Sequence, residues 1–192
     1  MGNKIWLYSG LLVLVLALIG VGIWFVLRPA DQVKIPESDP WLVMDRSYLE
    51  EGTQSQLSIY DDGTVIYWED TGLTGFPGAI SSNPTRTWRT GTLDTGEMND
   101  LSEFLDTIGF YDLEEYYLSS AVSSNEIVVI EDNYIKISVD NEKTVTAHGY
   151  FTRSASSAFY PLPGPLADLD EKLGDIIENN TSETLVENLP TD

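Results

Sequence analysis

The pattern of apolar and polar positions divides the chain into three unequal parts. Ile5 to Leu27 (IWLYSGLLVLVLALIGVGIWFVL) runs for 23 residues without a charged side chain. As a helix rising about 1.5 Å per residue it is about 35 Å long, enough to cross a hydrocarbon layer of about 30 Å with slight tilt. Trp6 and Tyr8 lie near one end and Trp24 and Phe25 at the other, where amphipathic rings settle at the two membrane interfaces. A secretory signal peptide is the nearest rival, but its apolar region spans only about 7–15 residues and ends in a small-x-small cleavage site. Here the run is longer, and Arg28-Pro29-Ala30 places a bulky cation where a small residue is needed. The pattern predicts an uncleaved signal anchor over residues 5–27, after a short N-terminal tail of residues 1–4.

Residues 28–40 contain Pro29, Pro36 and Pro40 and few apolar groups. Fixed φ angles and missing N–H donors discourage a helix, so a semi-extended stalk is expected. Residues 41–178 alternate as a folded domain does. Leu57–Tyr60 and Thr64–Glu69 flank Asp61-Asp62-Gly63, a hairpin signal because Gly and, to a lesser degree, Asp tolerate the turn backbone. On the second of these strands Val65, Tyr67 and Glu69 share one face, while Thr64, Ile66 and Trp68 share the other. Arg86–Leu93 is a third strand.

Asp94 to Ile108 reads as a helix. Asp94 and Glu97 have capping-box spacing, Met98, Leu101, Leu105 and Ile108 form one stripe, and Gly109 supplies the stop. Strands are then expected at Glu126–Glu131, Asn133–Asp140 and Lys143–His148. A last helix carries Leu166, Leu169, Leu173, Ile176 and Ile177 along one side and ends near Asn179. The predicted order is βββα–βββα in an α+β domain, with an antiparallel sheet and both helices on one face. Residues 179–192, acidic and without sustained period, are expected to be a flexible tail.

The run Leu57-Ser58-Ile59-Tyr60-Asp61-Asp62-Gly63-Thr64-Val65-Ile66-Tyr67, followed by Leu101, Leu105, Gly109-Phe110-Tyr111, Leu113 and Tyr116, resembles an uncharacterised family of bacterial extracytoplasmic α+β domains. Its members tend to open with a "tIy.DGtV.Y" hairpin and close with a helix of the type at Leu166–Ile177. The resemblance spans about residues 45–178 and implies a fold, not an activity. Members often carry a cysteine-containing segment before the first strand, where this chain has Tyr48-Leu49-Glu50-Glu51-Gly52.

Composition narrows the chemistry. The 192 residues hold 31 acidic and 10 basic side chains, for a formal charge of −21. Such a surface repels phosphate, which excludes nucleic acid as a partner. All 31 acidic residues but only eight of the basic ones follow residue 28. With a short polar N-tail, this favours an N-inside orientation and an extracytoplasmic C-terminal domain on the cell membrane. There are no cysteines and one histidine, so thiol chemistry and disulfides are absent and a zinc site lacks ligands.

Catalytic signals are correspondingly thin. His148, near a strand end, has Ser154, Ser156 and Ser157 downstream, without a nucleophile elbow. Paired carboxylates could serve glycoside hydrolysis, but so many acids make some pair inevitable. The calcium-loop pattern is missing, and Asp61-Asp62-Gly63 is accounted for by its turn. Asn179-Asn180-Thr181 and Asn180-Thr181-Ser182 match the glycosylation sequon, a pattern common by chance. No cofactor is expected.

Two long loops are better leads. Asp70–Thr85 carries Leu73, Phe76 and Ile80 between Trp68 and Trp88, and Gly149–Gly164 carries Phe159 and Tyr160. Long ordered loops with apolar residues either complete the core or contact a partner. The leading expectation is a non-catalytic, membrane-anchored domain that binds a protein or a cell-envelope component through Trp68, Leu73, Phe76, Ile80, Trp88, Phe159 and Tyr160. A structural, solubilising acidic domain and a carboxylate-based polysaccharide hydrolase are the alternatives. The anchor is directly testable: the expressed chain stays in the membrane pellet after alkaline carbonate, leaves it only with detergent, and keeps its residues before Arg28 by N-terminal mass spectrometry.

Overall fold

In the computed structural model, which describes residues 34–48, 52–73, 84–118, 133–149 and 162–188, eight strands and two α-helices follow one another. They are β1 (Leu42–Tyr48), β2 (Thr53–Ile59), β3 (Thr64–Thr71), β4 (Thr85–Thr92), α1 (Thr95–Thr107), a one-turn 3-10 helix at Phe110–Asp112, β5 (Tyr116–Leu118), β6 (Asn133–Val139), β7 (Lys143–His148), α2 (Gly164–Asn180) and β8 (Thr181–Asn188). The strands form one mixed sheet in the order β5-β7-β6-β1-β2-β3-β4-β8. The fold class is α+β. All the described residues belong to one unit. The expected membrane span at residues 5–27 and the expected strand at Glu126–Glu131 lie outside the described residues. Among the described residues no helix is long and apolar enough to cross a membrane.

Alternation decides which side of the sheet is dry. Leu42 and Met44 of β1, Leu57 and Ile59 of β2, Val65 and Tyr67 of β3, Ile135, Ile137 and Val139 of β6, and Val145 and Ala147 of β7 stand opposite one another in register. All of them are buried in one cluster. Leu101 and Leu105 of α1 join it, as do Leu166, Leu169, Leu173, Ile176 and Ile177 of α2, so both helices pack on this side of the sheet. Each Val, Leu, Ile or Met side chain so withdrawn from water contributes about 1.5–3 kcal/mol.

The local signals at the turns and caps are realised in detail. Tyr60 N–H donates to Thr64 O (2.9 Å), Gly63 N–H to Tyr60 O (2.9 Å) and Thr64 N–H to the Asp62 carboxylate (2.9 Å). Gly63 has φ +82°, and a Cβ there would lie 2.2 Å from the carbonyl oxygen of Leu93. Its own carbonyl accepts from Leu93 N–H at 2.8 Å, tying the hairpin turn to the segment leading into α1. Asp94 caps α1 by accepting from Glu97 N–H (2.9 Å), while Glu97 accepts from Asp94 N–H (2.8 Å). Gly109, at φ +66°, ends the helical region.

Three expectations are corrected. The order is not βββα–βββα: an additional strand, β1, precedes the expected hairpin and occupies the middle of the sheet, between β2 and β6. Its alternation is broken by Arg46, a cation on the core-facing side. Arg46 is tolerated there because its guanidinium bonds the carboxylate and main-chain carbonyl of Asp170 on α2. The sheet is not wholly antiparallel, since β5 runs parallel to β7. Finally, residues 181–188 are not a flexible tail but an edge strand paired antiparallel with β4.

The last correction has a steric cause. α2 passes into β8 without a connecting loop. The Thr181 hydroxyl bonds Ile177 O, and Asn180 Nδ2 donates to Glu97 Oε1 (2.8 Å), so the helix end is tied to the start of α1. Beneath this junction lies Gly91 of β4, where a Cβ would be 1.8 Å from Asn180 O. Only a residue without a side chain lets the chain descend onto the sheet edge. Gly91→Ala is therefore expected to cost about 1–3 kcal/mol in urea unfolding, as overpacking does. Gly164→Ala, where a Cβ meets nothing within 4 Å, should change stability by less than about 0.5 kcal/mol.

Candidate functional site

With the core and both helices on one side, the other face of the sheet carries the alternate residues of each strand. Among the described residues no helix covers it. Hydroxyl and amide side chains dominate, including Ser47, Gln54, Gln56, Ser58, Thr90, Ser138, Thr144 and Thr146. This is the composition of the polar side of a one-sided sheet, although Ser47, Ser58, Ile66 and Asp70 on it are buried. Its organisation is less ordinary.

Trp68 of β3 and Trp88 of β4 are direct cross-strand partners, both half-buried. Two residues along, Asp70 and Arg86 are also partners. Arg86 donates to Asp70 through Nε (2.6 Å) and Nη2 (2.7 Å), a two-pronged pair. Its guanidinium carbon sits 4.3 Å from the Trp68 ring centroid and 5.5 Å from that of Trp88, within reach of cation–π attraction to both. The Asp70 hydrogen bond is the main reason that the Arg86 pKa is raised, with desolvation opposing it. The cation is thus fixed and permanently charged.

Trp68 is held from its other edge as well. Its indole Nε1 donates to Gln56 Oε1 (3.2 Å), and Gln56 Nε2 donates to the Asp45 carboxylate (2.7 Å). The chain Trp68–Gln56–Asp45 crosses β3, β2 and β1, and Lys136 of β6 stands across from Asp45. Further along, Tyr134 faces Ser47 of β1 and His148 of β7. The His148 ring lies between Tyr116 (centroids 5.3 Å) and Tyr134 (5.7 Å), and its Nδ1 is buried without a hydrogen-bond partner. Burial, and then the Asp45 charge, push the Tyr134 hydroxyl pKa upward. The face therefore has aromatic groups at both ends and a hydrogen-bonded polar strip between.

The sequence-derived candidates divide as follows. Trp68 and Trp88, expected at the two ends of the first long loop, are brought side by side. Leu73 is drawn back to the open end of the β2–β3 hairpin, where its N–H donates to Gly52 O (2.9 Å). Phe76, Ile80, Phe159 and Tyr160 lie outside the described residues, as do Ser154, Ser156 and Ser157. Arg86 was legible, because it is two residues from Trp88 on an expected strand. Asp45 was not, because Arg46 breaks the alternation of β1. Among the described residues no three His, Cys, Asp or Glu side chains are placed to hold a metal ion.

A comparison with protein-family models, curated proteins and solved structures returned no match to this chain. The reading of the site rests on its own geometry.

Charge pairing at Asp70 gives a direct test. Its carboxylate is buried, with 6% of the side chain exposed, whereas Arg86 retains 26%. Arg86→Ala leaves that carboxylate uncompensated and should cost about 1–3 kcal/mol in urea unfolding, less than a fully buried pair because solvent reaches the cation. The double variant Asp70→Leu/Arg86→Leu should cost less than the single one, since no stranded charge remains.

Proposed function

We propose that this chain is a membrane-anchored, extracytoplasmic binding domain without catalysis, and that its contact surface is the sheet face opposite the helices. Residues 5–27 hold it in the bilayer with the N-terminus inside, and the folded domain meets a cell-envelope component or a protein outside. The observation that carries this reading is the arrangement of Trp68 and Trp88. Two large aromatic side chains are half-buried on a polar face and locked by Arg86, Asp70 and Gln56 rather than folded into the core. Fixing aromatic groups before a ligand arrives lowers the entropy lost on binding, which is where affinity at such sites is gained. The acidic helix layer on the opposite side favours solubility instead.

Cross-linking in the native membrane tests the proposal. Capture of envelope components by the full chain should fall at least several-fold in Trp68→Ala and Trp88→Ala, with circular dichroism unchanged. Equal capture by folded variants would place the contact surface elsewhere.

A further inference from the structure

The charge on the polar face differs from that on the rest of the described domain. α1 presents Glu97, Asp100, Glu103 and Asp106 with no cation. α2 presents Asp168, Glu171, Asp175 and Glu178 against Lys172 alone, its Asp170 being turned to Arg46. On the polar face, Asp45, Asp70 and Glu187 are set against Arg86 and Lys136, which brings it close to neutrality. Each of its cations already faces a carboxylate: Arg86 is bound by Asp70, and Lys136 stands across from Asp45. Lys136 is exposed, but one lysine set among three carboxylates does not select an anionic ligand.

The face also lacks the apolar centre of a protein interface. Away from the β8 edge the described strands place three aliphatic residues there, Val43, Ile66 and Leu118; Ile66 is buried, and Leu118 is exposed but lies on the outermost strand, β5, not at the centre. What it offers is neutral hydroxyl and amide groups between two sets of rings. Trp68 and Tyr134 are three strand spacings apart, and Trp88 and His148 five. At about 4.8 Å per spacing these separations are about 14 and 24 Å. That is the length of several linked sugar rings rather than one small molecule.

Taking the polar face as the binding surface proposed above, we infer that its ligand is a neutral polysaccharide laid across the strands. Trp68 and Trp88 offer the ring surface that Arg86 leaves uncovered to the C–H side of the sugars, Gln56 and Asp45 meet their hydroxyls, and Tyr134 and His148 form the second aromatic contact. A polyhydroxylated, uncharged chain fits a balanced polar face on an acidic molecule. It needs no counter-charge and is not repelled by the helix layer.

The test uses the full chain in nanodiscs, run in native affinity gels containing a neutral glucan, a neutral mannan or acidic polygalacturonate. The expected result is retardation by at least one neutral polymer, unchanged between low and high salt, with polygalacturonate inert. Trp68→Ala and Trp88→Ala should each weaken it by about tenfold or more, the scale of an aromatic anchor, while Trp88→Tyr retains most of it. Absence of retardation by both neutral polymers, or equal retardation of the folded alanine variants, overturns the inference. Membrane capture that still depends on Trp68 while both neutral polymers fail would overturn the glycan ligand and leave the binding face standing. Loss of both dependences would overturn the two together.

Discussion

One-sided burial is the constraint on which the rest of the domain depends. Apolar residues of β1, β2, β3, β6 and β7 point to the same side, and both helices meet them there in a single cluster. A domain of this size gains its stability from one such core, because the entropy of ordering the chain consumes most of what burial supplies. Having placed its aliphatic side chains on that side, the sheet leaves its other face to residues that tolerate water. The candidate site is thus a consequence of how the core is arranged.

Two polar contacts position the helix layer, one to the sheet and one between the helices. Arg46 reaches from the central strand to Asp170 on α2, with its Nε buried and unpaired. A buried ion pair is weak evidence of net stability, since desolvation offsets much of the attraction. Its effect here is positional: one cation at one level of the sheet matches one carboxylate on the helix. At the other end of α2, Asn180 bonds Glu97, which also completes the cap of α1. The two helices are linked through a single carboxylate, and Gly91 provides the space that lets the chain continue at once into β8.

The same layering separates the charges. The helices carry an excess of carboxylates on their solvent sides, where repulsion between molecules promotes solubility. The polar face of the sheet comes close to balancing its charges, with Arg86 bound by Asp70 and Lys136 in register with Asp45. Within it, hydrogen bonds orient Trp68 from one edge and a guanidinium covers its ring. Rigidity in this patch comes from side chains bridging four strands, so it depends on correct register at β1, β2, β3 and β4 together.

The sequence by itself determined the elements whose signals are local. The Asp62-Gly63 turn, the Asp94/Glu97 cap, the Gly109 stop and the apolar stripes of both helices depend on residues a few positions apart, and each is where its pattern put it. The sequence also established that Trp68 lies on the face opposite Val65 and Tyr67, because strand alternation has a period of two. Tertiary structure decided the rest. β1 is hidden by Arg46, whose partner lies 124 positions away. β8 has no pattern of its own, and becomes a strand because α2 delivers it to the open edge of β4 above a glycine. The meeting of Trp68, Trp88, Arg86 and Asp70 depends on β3 and β4 pairing across a long loop, and the extension of that group to Gln56 and Asp45 requires the central strand that local pattern could not reveal. Short-range chemistry writes turns and caps directly into the chain, whereas partners joined only by sheet register or by helix packing are selected from among many equivalent residues when the whole domain closes.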